Sequence, residues 1–361
     1  MKLDLEADLA DLLQQITDIY SVSDNETELA NAVEQTLQDY AHLEVIRNGD
    51  AVIARTQLGR DRRVLIAGHL DTVPVANNLP SERREVDGED RIYGRGTCDM
   101  KGGVAVQLKA AATLSNPAND ITWVFYDHEE VDGIYNGLGR IANELPQLLV
   151  ADFALLGEPT GAVIEGGCQG TMRFSVTTTG VAAHSARAWL GHNAIHDIAA
   201  VIEKVANYPV GEVTVDGLVY REGLNVVAIS GGIAGNVIPD TCSVEINYRY
   251  APNKSTDDAL AEMQKLFAGY ELKVNDLQPG ARPGLDIAIA KEFVSAVGGV
   301  PRAKYGWTDV ARFSGLGIPA VNYGPADPSK AHADDEYCPV QDLYRCYEAM
   351  KQWLENDEVA R

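Results

Sequence analysis

MKGGVAVQLKAAATLSNPANDITWVFYDHEE, residues 100–130, reads as a helix followed directly by a strand. Two glycines lead into an alanine-rich run with apolar residues at helical spacing, and a Ser-Asn-Pro break ends it. ITWVFYD is rich in β-branched and aromatic residues and stops at a polar cluster, as a buried strand does. Upstream, RRVLIAGHLD (62–71) is a second such run, and LEVIRN (43–48) and AVIART (51–56) are shorter ones. Strands alternating with helices predict an α/β sheet covered on both faces. The first forty residues predict two helices. Leu9, Leu12, Leu13 and Ile16 repeat at helical spacing, and Ser23-x-x-Glu26 reads as a capping box ahead of Leu29, Val33 and Leu37.

Near residue 172 the texture changes. MRFSVTTTG alternates as a strand and NAIHDIAAVIEKVANY reads as a helix. LNVVAISGGI and TCSVEINYRYA follow as strands, then STDDALAEMQKLFAGY as a helix and ELKVNDL as a strand. This β-α-β-β-α-β order predicts an α+β, ferredoxin-like unit. IAKEFVSAVGG then returns to helix, AVNYGP to strand, and VQDLYRCYEAMKQWLENDE (340–358) closes as a helix. The expected organisation is an outer α/β domain, 1–175 and 285–361, interrupted by an inserted domain, 176–284.

Composition narrows the function classes. The 361 residues carry a formal charge of −23, which disfavours nucleic acid and anionic lipid surfaces as partners. No apolar run approaches the ~18 residues that span a bilayer. The acidic, amphipathic start MKLDLEADLADLL resembles neither a signal nor a transit peptide, so the expected location is the cytoplasm. Five scattered cysteines without a C-x-x-C pair predict reduced, mostly buried thiols.

The residues that bear chemistry follow strands or sit in connecting loops. They are His69-x-Asp71, Asp99 in GRGTCDMKGG, Glu129-Glu130, Glu158 in LLGEPT and His332 in KAHADDE. Taken singly, a His or Asp after a strand is more often an ordinary polar residue than a ligand. Together, two histidines and several carboxylates at the carboxyl ends of strands form a nitrogen/oxygen donor set suited to zinc or a similar dication.

The order H-x-D, G-R-G-x-x-D-M-K-G, E-E, G-E-P and a late His resembles the two-zinc aminoacylase/carboxypeptidase family, over nearly the whole chain. The resemblance implies a zinc-exopeptidase-like catalytic domain with a mixed sheet, plus an inserted lid and dimerisation domain. It implies two zinc ions per subunit, with cobalt(II) able to substitute. Asp99 would bridge them, one held also by His69 and Glu158, the other by Glu130 and His332. Asp71 would accept a hydrogen bond from the second nitrogen of His69. Glu129 would carry a proton from the attacking water to the leaving amine, and His184 in GVAAHSA would stabilise the oxyanion from the other subunit of a homodimer.

Within that family, HSARAWLGHNAIHD (184–197) and HLDTVPVANNLP (69–80) look like the succinyl-diaminopimelate desuccinylases of actinobacterial type. The implied substrate is a small N-acyl amino acid with several carboxylates. Arg249 in INYRYAP resembles the lid arginine that grips one of them, Asn236 in GNVIP its neighbouring amide donor, and Arg187 offers a further clamp. Relatives place Lys or Arg where this chain has Gln169 in GCQG. An acetylornithine-type deacetylase is the alternative within the family, and a catalytically silent binding protein the alternative outside it. His192 and His196 stand four apart without the Glu of a zinc-protease helix motif and are expected to be ordinary residues of the inserted domain's helix.

Overall fold

The computed structural model describes residues 2–355. The chain divides into two compact units: Met1–Gly166, Pro283–Arg302 and Arg312–Arg361 in the first, Gly167–Arg282 and Ala303–Ala311 in the second.

The first unit is built on a mixed sheet whose strands run in the order Glu44–Asn48, Ala51–Arg55, Asp120–Tyr126, Arg63–His69, Phe153–Leu156, Ala320–Asn322, Glu165–Gly166. Arg63–His69 is parallel to both of its neighbours, and Ala320–Asn322 is parallel to Phe153–Leu156. The first two strands form an antiparallel hairpin that pairs antiparallel with Asp120–Tyr126. Every residue of Asp120–Tyr126 is buried, as its unbroken apolar run requires. Helices Leu9–Asp18, Thr27–Leu37, Gly102–Thr113, Ala288–Val297 and Val340–Glu355 lie where the periodicity put them. Residues 356–358 of the last reading lie outside the described residues. Phe153, Phe293 and Trp353 pack ring against ring in the core formed by these helices and the sheet.

The sequence pattern leaves several parts of this unit unassigned, the strands Phe153–Leu156 and Glu165–Gly166 among them. Glu82–Val86 and Glu89–Tyr93 form a hairpin that continues into Tyr337–Pro339 as a small antiparallel sheet, and Gly137–Glu144 is a helix. The hairpin's first strand is charged and exposed, so it lacks the apolar signal of a core strand. The capping box is not formed either. Glu26, at the N-cap position, makes no side-chain cap bond, and Ser23 and Glu26 are used elsewhere.

The second unit carries an antiparallel sheet in the order Gly223–Gly231, Thr241–Tyr250, Gly170–Thr179, Leu272–Gln278. Numbered along the chain this is 2-3-1-4, the ferredoxin-like arrangement, with helices Ala194–Ala206 and Thr256–Leu266 over one core. The expected break at 175/176 falls inside Gly170–Thr179. That strand pairs along its whole length with Thr241–Tyr250, so the unit begins at Gly167, and it ends at Arg282, two residues before the expected 284/285 break. Ala303–Ala311 also groups with this unit. A hairpin, Glu212–Val215 with Leu218–Arg221, is a further unread element. His192 precedes the helix, whose N-cap is Asn193, and only His196 lies on it. All five cysteines are free and buried. Among the described residues, no helix is long and apolar enough to cross a membrane.

Candidate metal centre

Parallel strands end at the same edge of a sheet, so residues just past those ends meet without any long excursion of the chain. His69 closes Arg63–His69, Glu129 and Glu130 follow Asp120–Tyr126 after two residues, and Glu158 lies two residues beyond Phe153–Leu156. Asp99 reaches them from the turn before Gly102–Thr113. In that turn Gly96 takes φ +84°, and the Asp99–Met100 peptide is cis. Gly103 is required by a close approach, since a Cβ there would stand 2.1 Å from the carbonyl oxygen of Gly157, the residue before Glu158. Lys101 of the same motif is buried and donates from Nζ to the Ile19 carbonyl at 3.0 Å, just past the C-terminus of Leu9–Asp18. Burial pushes its pKa down to about 7.

The two oxygens of Asp99 face different histidines. Oδ1 lies 3.2 Å from His69 Nε2, and Oδ2 lies 3.4 Å from His332 Nε2. Glu158 Oε1 stands 4.0 Å from His69 Nε2, and Glu130 Oε1 stands 3.0 Å from His332 Nε2. Ligand atoms of His69, Asp99 and Glu158 all lie within 4.8 Å of one another, and so do those of Asp99, Glu130 and His332. A third group, His69 with Glu129 and Glu130, meets the same limit. The donor chemistry fits divalent cations at two positions sharing Asp99. Each position offers one imidazole and carboxylates, and the shared carboxylate offsets the repulsion between two dications.

Electrostatics follow from this crowding. Burial alone lowers His69, but hydrogen bonds to Asp71 and Asp99 hold its pKa well above the ordinary value. His332 is raised to about 10 by its hydrogen bonds to Asp99 and Glu130. Burial raises Glu130, and the charge of Asp99 adds to it. Mutual repulsion is expected to raise such carboxylates, but Asp99 goes the other way. The cost of burying it is outweighed by hydrogen bonds from both histidines, and its pKa is held down. A bound cation must displace these histidine protons, so affinity for metal rises with pH.

Asp71 serves more groups than the expectation gave it. The second nitrogen of His69, Nδ1, is 3.0 Å from the Asp71 main-chain carbonyl and 3.5 Å from its carboxylate. The carboxylate also accepts from the backbone N–H of Glu129 at Oδ1 and of Glu130 at Oδ2, both at 3.0 Å, and from the Ser23 hydroxyl at 2.7 Å. Asp71 therefore places the Glu-Glu pair as well as His69. Glu26 continues the support by accepting from the His128 N–H at 3.2 Å. This is where the capping-box side chains are used: the Ser23 hydroxyl donates to the Asp71 carboxylate, and Glu26 accepts from the His128 backbone N–H.

Glu26 is fully buried, its Oε2 has no hydrogen-bond partner, and burial lifts its pKa from 4.5 to about 7. A carboxyl whose folded pKa is raised contributes stability below its unfolded pKa and loses it as pH rises through the folded one. Glu26→Gln keeps the oxygen that faces His128 and removes the titration. Urea unfolding is expected to find the variant more stable than wild type at pH 8 by about 2 kcal/mol, with little or no gain at pH 5. An equal gap at both pH values would show that Glu26 does not ionise across this window.

The remaining residues singled out in the sequence belong to the second unit. His184 is exposed, in the short strand Ala183–His184 paired with Val237–Ile238. Its Nδ1 accepts from the Ala186 N–H at 3.1 Å, so the neutral ring carries its proton on Nε2. Arg187 is exposed in the following turn. Asn236 lies beside His184, its carbonyl accepting from the Ser185 N–H at 2.9 Å. It is not a neighbour of Arg249. The strand Thr241–Tyr250 separates the two, with Arg249 near its far end, about 27 Å along the extended chain from Thr241. Arg249 is partly buried and donates from Nε to Asn247. Gln169 is buried and donates to the Arg221 carbonyl at 2.6 Å, so it is committed to its own backbone.

The sequence profile of peptidase family M20/M25/M40 matches residues 65–356, which include every residue of the cluster. The chain belongs to this family. Among M20 relatives it is 52% identical to a Mycobacterium tuberculosis (strain ATCC 25618 / H37Rv) chain that carries a provisional succinyl-diaminopimelate desuccinylase name, covering 98% of this chain and 99% of that one. It is 47% identical to the Corynebacterium glutamicum succinyl-diaminopimelate desuccinylase, covering 98% and 97%. The solved structure of aminopeptidase PepT from Bacillus cereus shares the fold, with a TM-score of 0.80 at 21% identity over 99% of this chain and 100% of that one.

Proposed function

We propose that this M20 chain hydrolyses N-succinyl-LL-2,6-diaminopimelate to succinate and LL-diaminopimelate, with two zinc ions per subunit, for which cobalt(II) can substitute. The observation that carries the chemistry is the Asp99 carboxylate, shared between His69 with Glu158 on one side and His332 with Glu130 on the other. The acyl group and amine are argued from the near-full-length likeness to relatives named for that reaction. Two dications at these positions would polarise the amide carbonyl and acidify a water, so that a carboxylate suffices as base at neutral pH.

Glu129 takes the proton as water adds to the carbonyl. When the amide C–N bond breaks, Glu129 delivers that proton to the departing amine, leaving succinate as the acid product. Asp71 holds Glu129 for this work through the backbone N–H. His184 donates from Nε2 to the tetrahedral oxyanion, and Arg249, Asn236 and Arg187 bind substrate carboxylates. The same reading makes the protein a cytoplasmic homodimer assembled through the second unit. In support, Gly223–Gly231 is an edge strand, with Val227 and Ile229 on it exposed by 56% each and Ile233 just past it by 86%.

One observation favours a second reading. Gln169, where the family resemblance implies a basic residue in many members, is buried and bonded to the Arg221 carbonyl. An acyl group without a terminal carboxylate, as in an acetylornithine-type deacetylase, would not need that charge. Purified protein with added zinc is expected to release free amine from N-succinyl-LL-diaminopimelate and not from N-acetylornithine. Turnover of N-acetylornithine alone would establish the second reading instead.

A further inference from the structure

Four residues after His332, in the same KAHADDE stretch, lies a buried carboxylate that the reaction does not use. Glu336 is 1% exposed, and its Oε2 meets Nη1 of Arg95, itself 3% exposed, at 2.8 Å. The other oxygen, Oε1, accepts from the backbone N–H of both Cys98 and Asp99 at 3.1 Å each. The Glu336 carbonyl accepts from the Gly94 N–H at 3.1 Å, and its own N–H donates to Ala333 at 3.2 Å. Arg95 donates from Nη1 to the Ala333 carbonyl at 3.1 Å and from Nε to the Pro74 carbonyl at 3.0 Å. One buried ion pair thus fastens the turn carrying Asp99 to the loop carrying His332, 233 residues later in the chain.

The two cation positions depend on this fastening unequally. His69 ends a strand and Glu158 lies two residues past one, so the sheet ladder places both. His332 is on an irregular loop, in left-handed backbone at φ +64°, with its side chain half exposed. Its loop is held to the Asp99 turn by the buried Glu336–Arg95 pair, with Cys98 Sγ reaching the Asp327 carbonyl at 3.2 Å beside it. Removing the carboxylate strands two buried amide donors and a buried guanidinium at once, which costs more than the bonds themselves contribute.

Resting on the two-ion reading above, we propose that Glu336, acting with Arg95, is a positioning residue for the cation position formed by Asp99, Glu130 and His332, and sets the gap between Asp99 and the His332 loop. It touches neither substrate nor cation.

The test titrates the metal-free full-length chain with cobalt(II) alone, following its visible absorption, and with zinc by calorimetry. Wild type is expected to show two binding events. Glu336→Gln keeps an oxygen for the two amides but loses the charge facing Arg95. The second event is taken as the one that His332→Ala removes, and in Glu336→Gln it should weaken at least about 10-fold while the first changes little. Glu336→Ala should lose the second event. If circular dichroism shows Glu336→Ala unfolded, Glu336→Gln and Arg95→Lys decide the matter. The lysine cannot reproduce the fork that bonds Glu336, Ala333 and Pro74 together. Wild-type-like second events in both variants would overturn the proposal, as would equal weakening of the two events, the mark of general loosening. A wild-type chain that takes up one ion only fails the two-ion reading itself, and the proposal with it.

Discussion

Glu129→Gln is expected to lower kcat by at least about 10²-fold while leaving two zinc ions bound per chain. The backbone at this position is set by Asp71, whose two oxygens hold the N–H groups of Glu129 and Glu130 at 3.0 Å, with Ser23 bracing the same carboxylate. None of these bonds involves the Glu129 side chain, so the substitution should leave its neighbours in place. Glu130 points to His332 at 3.0 Å and shares a cluster with Asp99, which supports the proposal that it is the ligand of the pair. The competing arrangement is specific, because His69, Glu129 and Glu130 also offer ligand atoms within 4.8 Å of one another. Metal content per chain, measured alongside the rate, separates the two. If zinc is lost in proportion to activity, Glu129 is a ligand and the roles assigned to the two glutamates must be exchanged.

A larger contrast is expected from mixing two dead proteins. Glu129→Ala and His184→Ala should each be nearly inactive as homodimers. After subunit exchange at equal amounts, half the dimers are mixed, and each holds one site with both residues intact. Activity should therefore return to about one quarter of wild type. The second unit contains the reason to expect His184 to act across subunits. His184 and Asn236 sit together near the Thr241 end of the strand Thr241–Tyr250, whereas Arg249 lies near the other end. If all three serve one small substrate, they cannot come from the same copy of the chain. The free Nε2–H of His184 and the apolar edge strand are what such an arrangement would use. Proven subunit exchange with no recovery of activity would sink the trans assignment. In the same way, a chain lacking Gly167–Arg282, rejoined by a short linker, should fold and bind metal yet hydrolyse almost nothing.

The clustered residues were legible because few side-chain types can hold a divalent cation. Cation ligation at a sheet edge needs His, Asp and Glu, and parallel strands put the residues after their last positions on one side. The Gly-Gly of the Asp99 motif was legible too, although its reason, the 2.1 Å approach to Gly157, required coordinates. Alternating apolar runs likewise identified both sheets and the ferredoxin-like order of the second, because burial on one face or two leaves period-two or continuous apolar patterns.

What the tertiary structure alone decided is how polar groups were shared out. Ser23 and Glu26 have the spacing of a capping box, yet Asp71 and the His128 backbone outbid the helix N-terminus for them. Asp71 follows His69 by two residues and faces its imidazole with both carbonyl and carboxylate, yet that carboxylate also holds the Glu129 and Glu130 amides. Glu336 reads as one more acid in an acidic stretch, and only its distant partners, Arg95, Cys98 and Asp99, make it distinctive. Asn236 and Arg249 are thirteen residues apart in the chain and near opposite ends of an extended strand in space. The amino-acid sequence by itself determined which segments bury apolar surface and which residues are chemically able to hold cations, since both are properties of local composition. Which donor each carboxylate satisfies depends on which unsatisfied groups the fold brings near it. A buried N–H left without a partner costs about 1–3 kcal/mol wherever its acceptor comes from in the chain, so that competition is settled only once the segments have packed.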